Sequence, residues 1–114
     1  MAKQVKVKAQ TEVEIVKKFL AKATSSKDRG IEFSIPFAEF TELSRTPKCY
    51  FTGVPLNTIS GDANQHTYDR IDNDKGYVSG NVVACSLVFN QIKGNLTVLQ
   101  INQLYKGIKK AGLI

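Results

Sequence analysis

A chain of 114 residues suits one domain, since a core of that size can bury enough apolar surface to fold alone. Apolar residues at 42% and charged residues at 23% exclude a disordered or fibrous chain. No apolar run approaches the ~20 residues that span a bilayer, and Met1-Ala-Lys-Gln lacks a hydrophobic signal core, so a cytoplasmic protein without a membrane partner is expected.

The net charge of +6 favours an anionic partner, and its distribution says more than its total. Residues 1–29 carry eight Lys/Arg against three Asp/Glu, residues 30–75 four against seven, and residues 76–114 four with no acid. Basic arms around an acidic centre suit a protein whose ends grip phosphates while its middle holds a cation, although a solvated Lys-rich terminus accounts for part of the pattern. The two cysteines, Cys49 and Cys85, have no CxxC spacing, so neither a disulfide framework nor a four-cysteine zinc site is expected.

In chain order, residues 1–10 alternate Lys with Val and Ala and read as a flexible basic lead-in to a domain over 11–114. Thr11 and Glu14 have capping-box spacing, and Val13, Val16, Phe19, Leu20 and Ala23 follow at helical intervals, which predicts a helix over about 12–24. Ser25 to Gly30 reads as a loop. Ile31, Phe33 and Ile35 alternate with polar residues as in a half-buried strand. Pro36 opens a helix whose stripe is Phe37, Phe40 and Leu43. Cys49 to Leu56 predicts two short strands around Gly53, and Asn57 to Gln65 a polar loop. His66 to Asp72 and Asn81 to Cys85 read as strands joined through turns at Asn73-Asp74-Lys75-Gly76 and Ser79-Gly80. Ser86 caps a short helix that Gly94 stops. Thr97 and Gln100 open the last helix, with Val98, Ile101, Leu104, Tyr105 and Ile108 on one face and Gly112 past its end. The expected fold is α+β: N- and C-terminal helices around short hairpins.

The stretch Tyr68-Asp69-Arg70-Ile71-Asp72, Lys75-Gly76-Tyr77, Gly80-Asn81-Val82-Val83 and Asn90-Gln91-Ile92-Lys93-Gly94 resembles the finger of HNH (ββα-metal, His-Me finger) endonucleases in their phage-like D-R-I-D variant. Upstream, Arg29-Gly30-Ile31-Glu32-Phe33 and Cys49-Tyr50-Phe51-Thr52-Gly53 are similar to elements that precede the finger in that family. The resemblance covers roughly residues 19–100, with the ββα finger at about 66–94. It implies a metal-dependent DNA endonuclease or nickase of phage or mobile-element origin, acting on duplex DNA in the host cytoplasm. Asp69 and Asn90 are the implied ligands of Mg²⁺ or Mn²⁺, a hard cation that prefers oxygen. Lys93, one helical turn after Asn90, is expected to meet a phosphate oxygen. Asn81, Gly76 and Gly80 would support the finger. Lys17, Lys18, Lys27, Arg29, Lys75, Lys106, Lys109 and Lys110 are the candidates for DNA-backbone contact. Each residue also has a plainer reading: Asp69 and Asp72 beside Arg70 as a surface ion-pair cluster, Lys93 as a cation at a helix end, and the glycines as turns.

The chain departs from the family at two points. Arg70 stands where most members carry the histidine that activates water, and arginine does not deprotonate in a protein, so its expected role is to clamp the phosphate. His66 is the lone histidine, four residues earlier and about 13 Å away along a regular strand, and it is the remaining candidate base. Of the positions that hold a bracing zinc in many members, Cys49 alone is cysteine, while Thr52, Ser86 and Phe89 occupy the others. No structural zinc is expected; Leu87, Val88, Phe89 and Ile92 would brace the finger by apolar packing. The missing base also supports a second reading, a catalytically degenerate finger that binds DNA or a host or phage protein.

Overall fold

The computed structural model describes residues 10–114, so all but the last residue of the predicted lead-in lies outside the described residues. That last residue, Gln10, is tied down: its side chain donates to Ser44 O and accepts from Lys18 Nζ. Thr11 then caps α1 (Glu12–Asp28), accepting from Glu14 N at 3.2 Å. The helix continues through the predicted loop. Gly30, at φ 68°, ends it in a Schellman motif: Gly30 N–H donates to Lys27 O and Ile31 N–H to Ser26 O.

The inward face of α1 differs from the predicted stripe. Val13, Val16 and Leu20 are exposed, whereas Ile15 and Ser26 are buried and Phe19 and Lys22 partly so. These four recur at steps of four, three and four, one side of a helix. Docking chose between the stripes: Phe19 meets the edges or faces of Phe33, Phe37 and Phe40 at centroid distances of 5.1, 5.2 and 5.2 Å.

The predicted strand at 31–35 is a single parallel bridge, Phe33 to Tyr77, because this segment hydrogen bonds around one residue only: Tyr77 N–H donates to Glu32 O, and Ser34 and Ile35 N–H to Tyr77 O. α2 (Phe37–Ser44) has Pro36 as its cap and buries Phe40, which stacks on Tyr68 at 4.4 Å. The two strands expected around Gly53 shrink to one bridge, Lys48 with Pro55, since Pro55 has no N–H to extend the ladder.

β1 (His66–Arg70) pairs antiparallel with β2 (Val82–Ser86), with Asp69 opposite Val83 and Thr67 opposite Cys85. β2 is buried along its whole length. Ser86 ends the strand and caps α3 (Leu87–Lys93) through Phe89 N–H, and Gly94 closes that helix at φ 48°. α4 (Val98–Lys110) has both halves of the predicted capping box but no buried residue. The core gathers Ile15, Ile35, Phe40, Tyr77 and Val82 from five segments. The domain is thus a small α+β fold with a ββα unit at residues 66–93.

The apolar brace in place of zinc is narrower than predicted. Leu87 and Phe89 are half-buried, but Val88 and Ile92 are 41% and 69% exposed, because α3 has only one face against the hairpin. Phe51 packs on Phe89 at 5.4 Å, and the thiols of Cys49 and Cys85 meet at 3.8 Å beneath.

Candidate functional site

The strand-strand-helix order brings Asp69 from β1 and Asn90 from α3 to the wall of one cleft of about 270 Å³, with Arg70 beside them. Asn90 Nδ2 donates to Thr67 Oγ1 at 3.0 Å, a bond that orients the amide. Thr67 in turn donates to Cys85 O across the hairpin. With its NH₂ held there, the Asn90 carbonyl oxygen is the end free to take a ligand. Asp69 is 7% exposed, and its Oδ2 accepts no hydrogen bond of good geometry.

Lys93 turns inward, away from any phosphate at the mouth. Its side chain is fully buried, with Nζ 3.0 Å from Asp69 Oδ2, donating to Arg70 O at 3.1 Å and lying 5.7 Å from the Phe51 ring centroid. The contact with Asp69 is an ion pair by distance rather than a well-aligned hydrogen bond. Lys93 follows Asn90 by three residues, but the next turn of so short a helix points into the hairpin, where the predicted phosphate contact has no access.

His66 does not line the cleft. It is buried, its Nε2 donating to Leu43 O at 2.7 Å, and burial holds its pKa below the ordinary histidine range despite the opposing pull of that carbonyl. The strand carries it toward α2, and no bulge returns it. Arg70 Nη1 donates to the carbonyls of Asn73 and Lys75, which fixes the guanidinium over the turn and leaves its remaining donors available.

Asn81 pins the hairpin connection as expected from its position: Oδ1 accepts from Asp72 N, and Nδ2 donates to Asp72 O and Gly76 O. Gly76 approaches the backbone and Cβ of Glu32 so closely that it has no room for a side chain of its own. Gly80, at φ 81°, makes the turn into β2.

Of the predicted backbone-contact cations, Arg29 lines the cleft, and Lys75 lines a neighbouring hollow that shares Arg70 and Asn73. Lys17, Lys27, Lys106, Lys109 and Lys110 are exposed elsewhere. Lys18 is partly buried and bonded to Gln10, and burial lowers its pKa against the raising effect of Glu14.

The cleft also holds residues to which the sequence assigned no site role: Lys22, Tyr77, Asn73 and Asn95. Lys22 had a signal, a charged residue in register with Ile15, Phe19 and Ser26 on the inward face of α1. Its Nζ lies 4.8 Å from the Tyr77 ring centroid, and Arg70 Cζ lies 5.3 Å from the same ring. Burial raises the Tyr77 phenol, but the charges of Lys22 and Arg70 and hydrogen bonding from Lys22 and Arg29 outweigh it and leave the pKa below the usual tyrosine value. The cleft is therefore electropositive around one carboxylate that is already paired.

Among the described residues, no group of three His, Cys, Asp or Glu side chains is arranged for a metal, so a cation here would rest on Asp69 and Asn90 alone. That is sufficient for a hard cation that keeps most of its waters, to which Asp69 would offer the oxygen not turned to Lys93.

No family model matches the chain, and no solved structure matches it. The chain is 28% identical over 78 residues to a protein of Enterobacteria phage T4 described as an "Uncharacterized 29.0 kDa protein in dda-modA intergenic region". The match covers 68% of this chain and 31% of that protein, so the chain spans about a third of the length of the curated relative it matches. Among the described residues, no helix is long and apolar enough to cross a membrane.

Proposed function

We propose that the protein is an HNH-type, metal-dependent nuclease of phage origin that hydrolyses phosphodiester bonds in DNA. The observation that carries this reading is the shared cleft of Asp69, Asn90 and Arg70 on a ββα unit. Asp69 and Asn90 would hold Mg²⁺ or Mn²⁺, which when bound stabilises charge on the phosphate and the leaving oxygen and acidifies a bound water. Thr67 keeps the Asn90 amide in one orientation, and Lys93, 3.0 Å from Asp69 Oδ2, keeps that side chain in place. Arg70 presents its free donors to a phosphate oxygen, where a fixed guanidinium favours the more highly charged transition state.

A second reading is a finger that binds DNA, or a host or phage protein, without cutting. It draws support from the Lys93 ammonium, a built-in cation 3.0 Å from the carboxylate that would serve the metal, and from the absence of His66 from the cleft. A supercoiled-plasmid nicking assay separates the two. The nuclease reading expects cleavage in Mn²⁺ or Mg²⁺ that EDTA, Asp69→Ala and Asn90→Ala each abolish. Intact plasmid across several divalent metals, with salt-dependent binding retained, would establish the second reading instead.

A further inference from the structure

We propose that Lys22 of α1 and Arg29 at its C-terminal cap, together with Arg70 and the Tyr77 hydroxyl, form a phosphate seat that takes the nucleic-acid backbone without any divalent metal. This rests on the nuclease reading only for the identity of the anion; the seat itself is argued from charge and geometry.

Among the described residues, the one ion pair is Lys93 with Asp69, which leaves Lys22, Arg29 and Arg70 without a carboxylate partner. All three line the cleft. Lys22 Nζ and Arg70 Cζ both lie close to the Tyr77 ring, at 4.8 and 5.3 Å from its centroid. They are thus within about 10 Å of each other, no more than the Debye length at 0.1 M salt, so they repel until an anion arrives. The depressed Tyr77 phenol reports the same positive field from inside the wall.

With Asp69 already neutralised by Lys93, the cleft keeps a surplus of three positive charges, more than one phosphodiester group carries. The surplus matches neighbouring phosphates of one strand. Arg70 is braced by two carbonyls, so its guanidinium is presented with little freedom left to lose, while the Schellman turn at Gly30 sets the backbone from which Arg29 reaches the rim. α1 therefore serves as half of the binding cleft as well as a core helix.

Calorimetric titration of inorganic pyrophosphate into the full chain in EDTA tests the seat. Binding is expected without divalent metal, and Lys22→Met and Arg29→Met should each weaken it about tenfold, the size of one charge-assisted hydrogen bond. Lys22→Arg should keep it, and so should Lys106→Met, which removes a charge that does not line the cleft. Pyrophosphate that binds only when Mg²⁺ or Mn²⁺ is present overturns the proposal. So does a Lys106→Met loss as large as that of Lys22→Met, which would reveal a bulk charge effect. A protein that binds pyrophosphate in EDTA yet cuts no DNA supports the seat and refutes the nuclease reading alone.

Discussion

Lys93→Met isolates the most consequential interaction of the finger. Lys93 is 1% exposed and Asp69 7%, and their charged atoms are 3.0 Å apart, so both ions have left water. Methionine keeps the apolar stem against Phe51 but leaves the carboxylate unpaired, and removing one partner of a buried pair costs ~3–5 kcal/mol. At about 4 °C per kcal/mol for a domain of this size, the melting temperature should fall by roughly 12–20 °C. Asp69→Asn combined with Lys93→Met should recover most of that loss, because neither side chain is then a buried charge. Mn²⁺ should also raise the melting temperature of Lys93→Met more than that of the unaltered chain, since it replaces the missing ammonium and stabilises by binding the folded state. Thermal and urea melts of the three proteins measure all of this. A Lys93→Met loss below about 1 kcal/mol, or a double variant no more stable than the single one, would refute the idea that a desolvated ion pair organises the site.

Asn81→Ala removes three hydrogen bonds that join both ends of the hairpin connection, at 2.9, 3.1 and 2.9 Å, and should cost about 2–4 kcal/mol in a urea melt. Gly76→Ala would set a Cβ 2.7 Å from the Glu32 Cβ, so the 31–35 segment must shift off Tyr77; a loss of about 1–3 kcal/mol and weaker pyrophosphate binding are expected together. The cysteines titrate in opposite directions. Burial pushes the Cys49 thiol up, but the Thr52 hydroxyl and the N–H groups of Ser86, Thr52 and Phe51 outweigh it and bring the pKa to about 7. Burial and the neighbouring Cys49 push Cys85 up to about 12. The Cys49 contribution to stability is thus present above its ordinary value of 9.0 and lost as the pH falls through about 7. That of Cys85 is present below 9.0 and lost as the pH rises toward about 12. Thiolate absorbance should show a step near pH 7 that Cys49→Ser removes; a step only above pH 9 would contradict this account.

What the sequence determined by itself was local. Thr11, Ser86 and Thr97 start helices because their hydroxyls satisfy N–H groups within one turn. Gly94 and Gly112 stop helices with positive φ, and the segments 66–72 and 81–85, set off by turn-rich residues, formed a hairpin whose strands ended within two residues of expectation. The pairing of Asp69 with Asn90 was legible only through the resemblance of their motifs, and Asn81 through its place in them. Tertiary packing decided the rest. The inward face of α1 went to Ile15, Phe19, Lys22 and Ser26 rather than to the valines, because only that stripe reaches the phenylalanines of the following segments. The same rotation brought Lys22 to a cleft whose other wall begins 46 residues later at Tyr68, a meeting no local window contains. Burial likewise turned Lys93 from a phosphate contact into the partner of Asp69 and took His66 to α2, since a charge or a ring goes where its desolvation is offset.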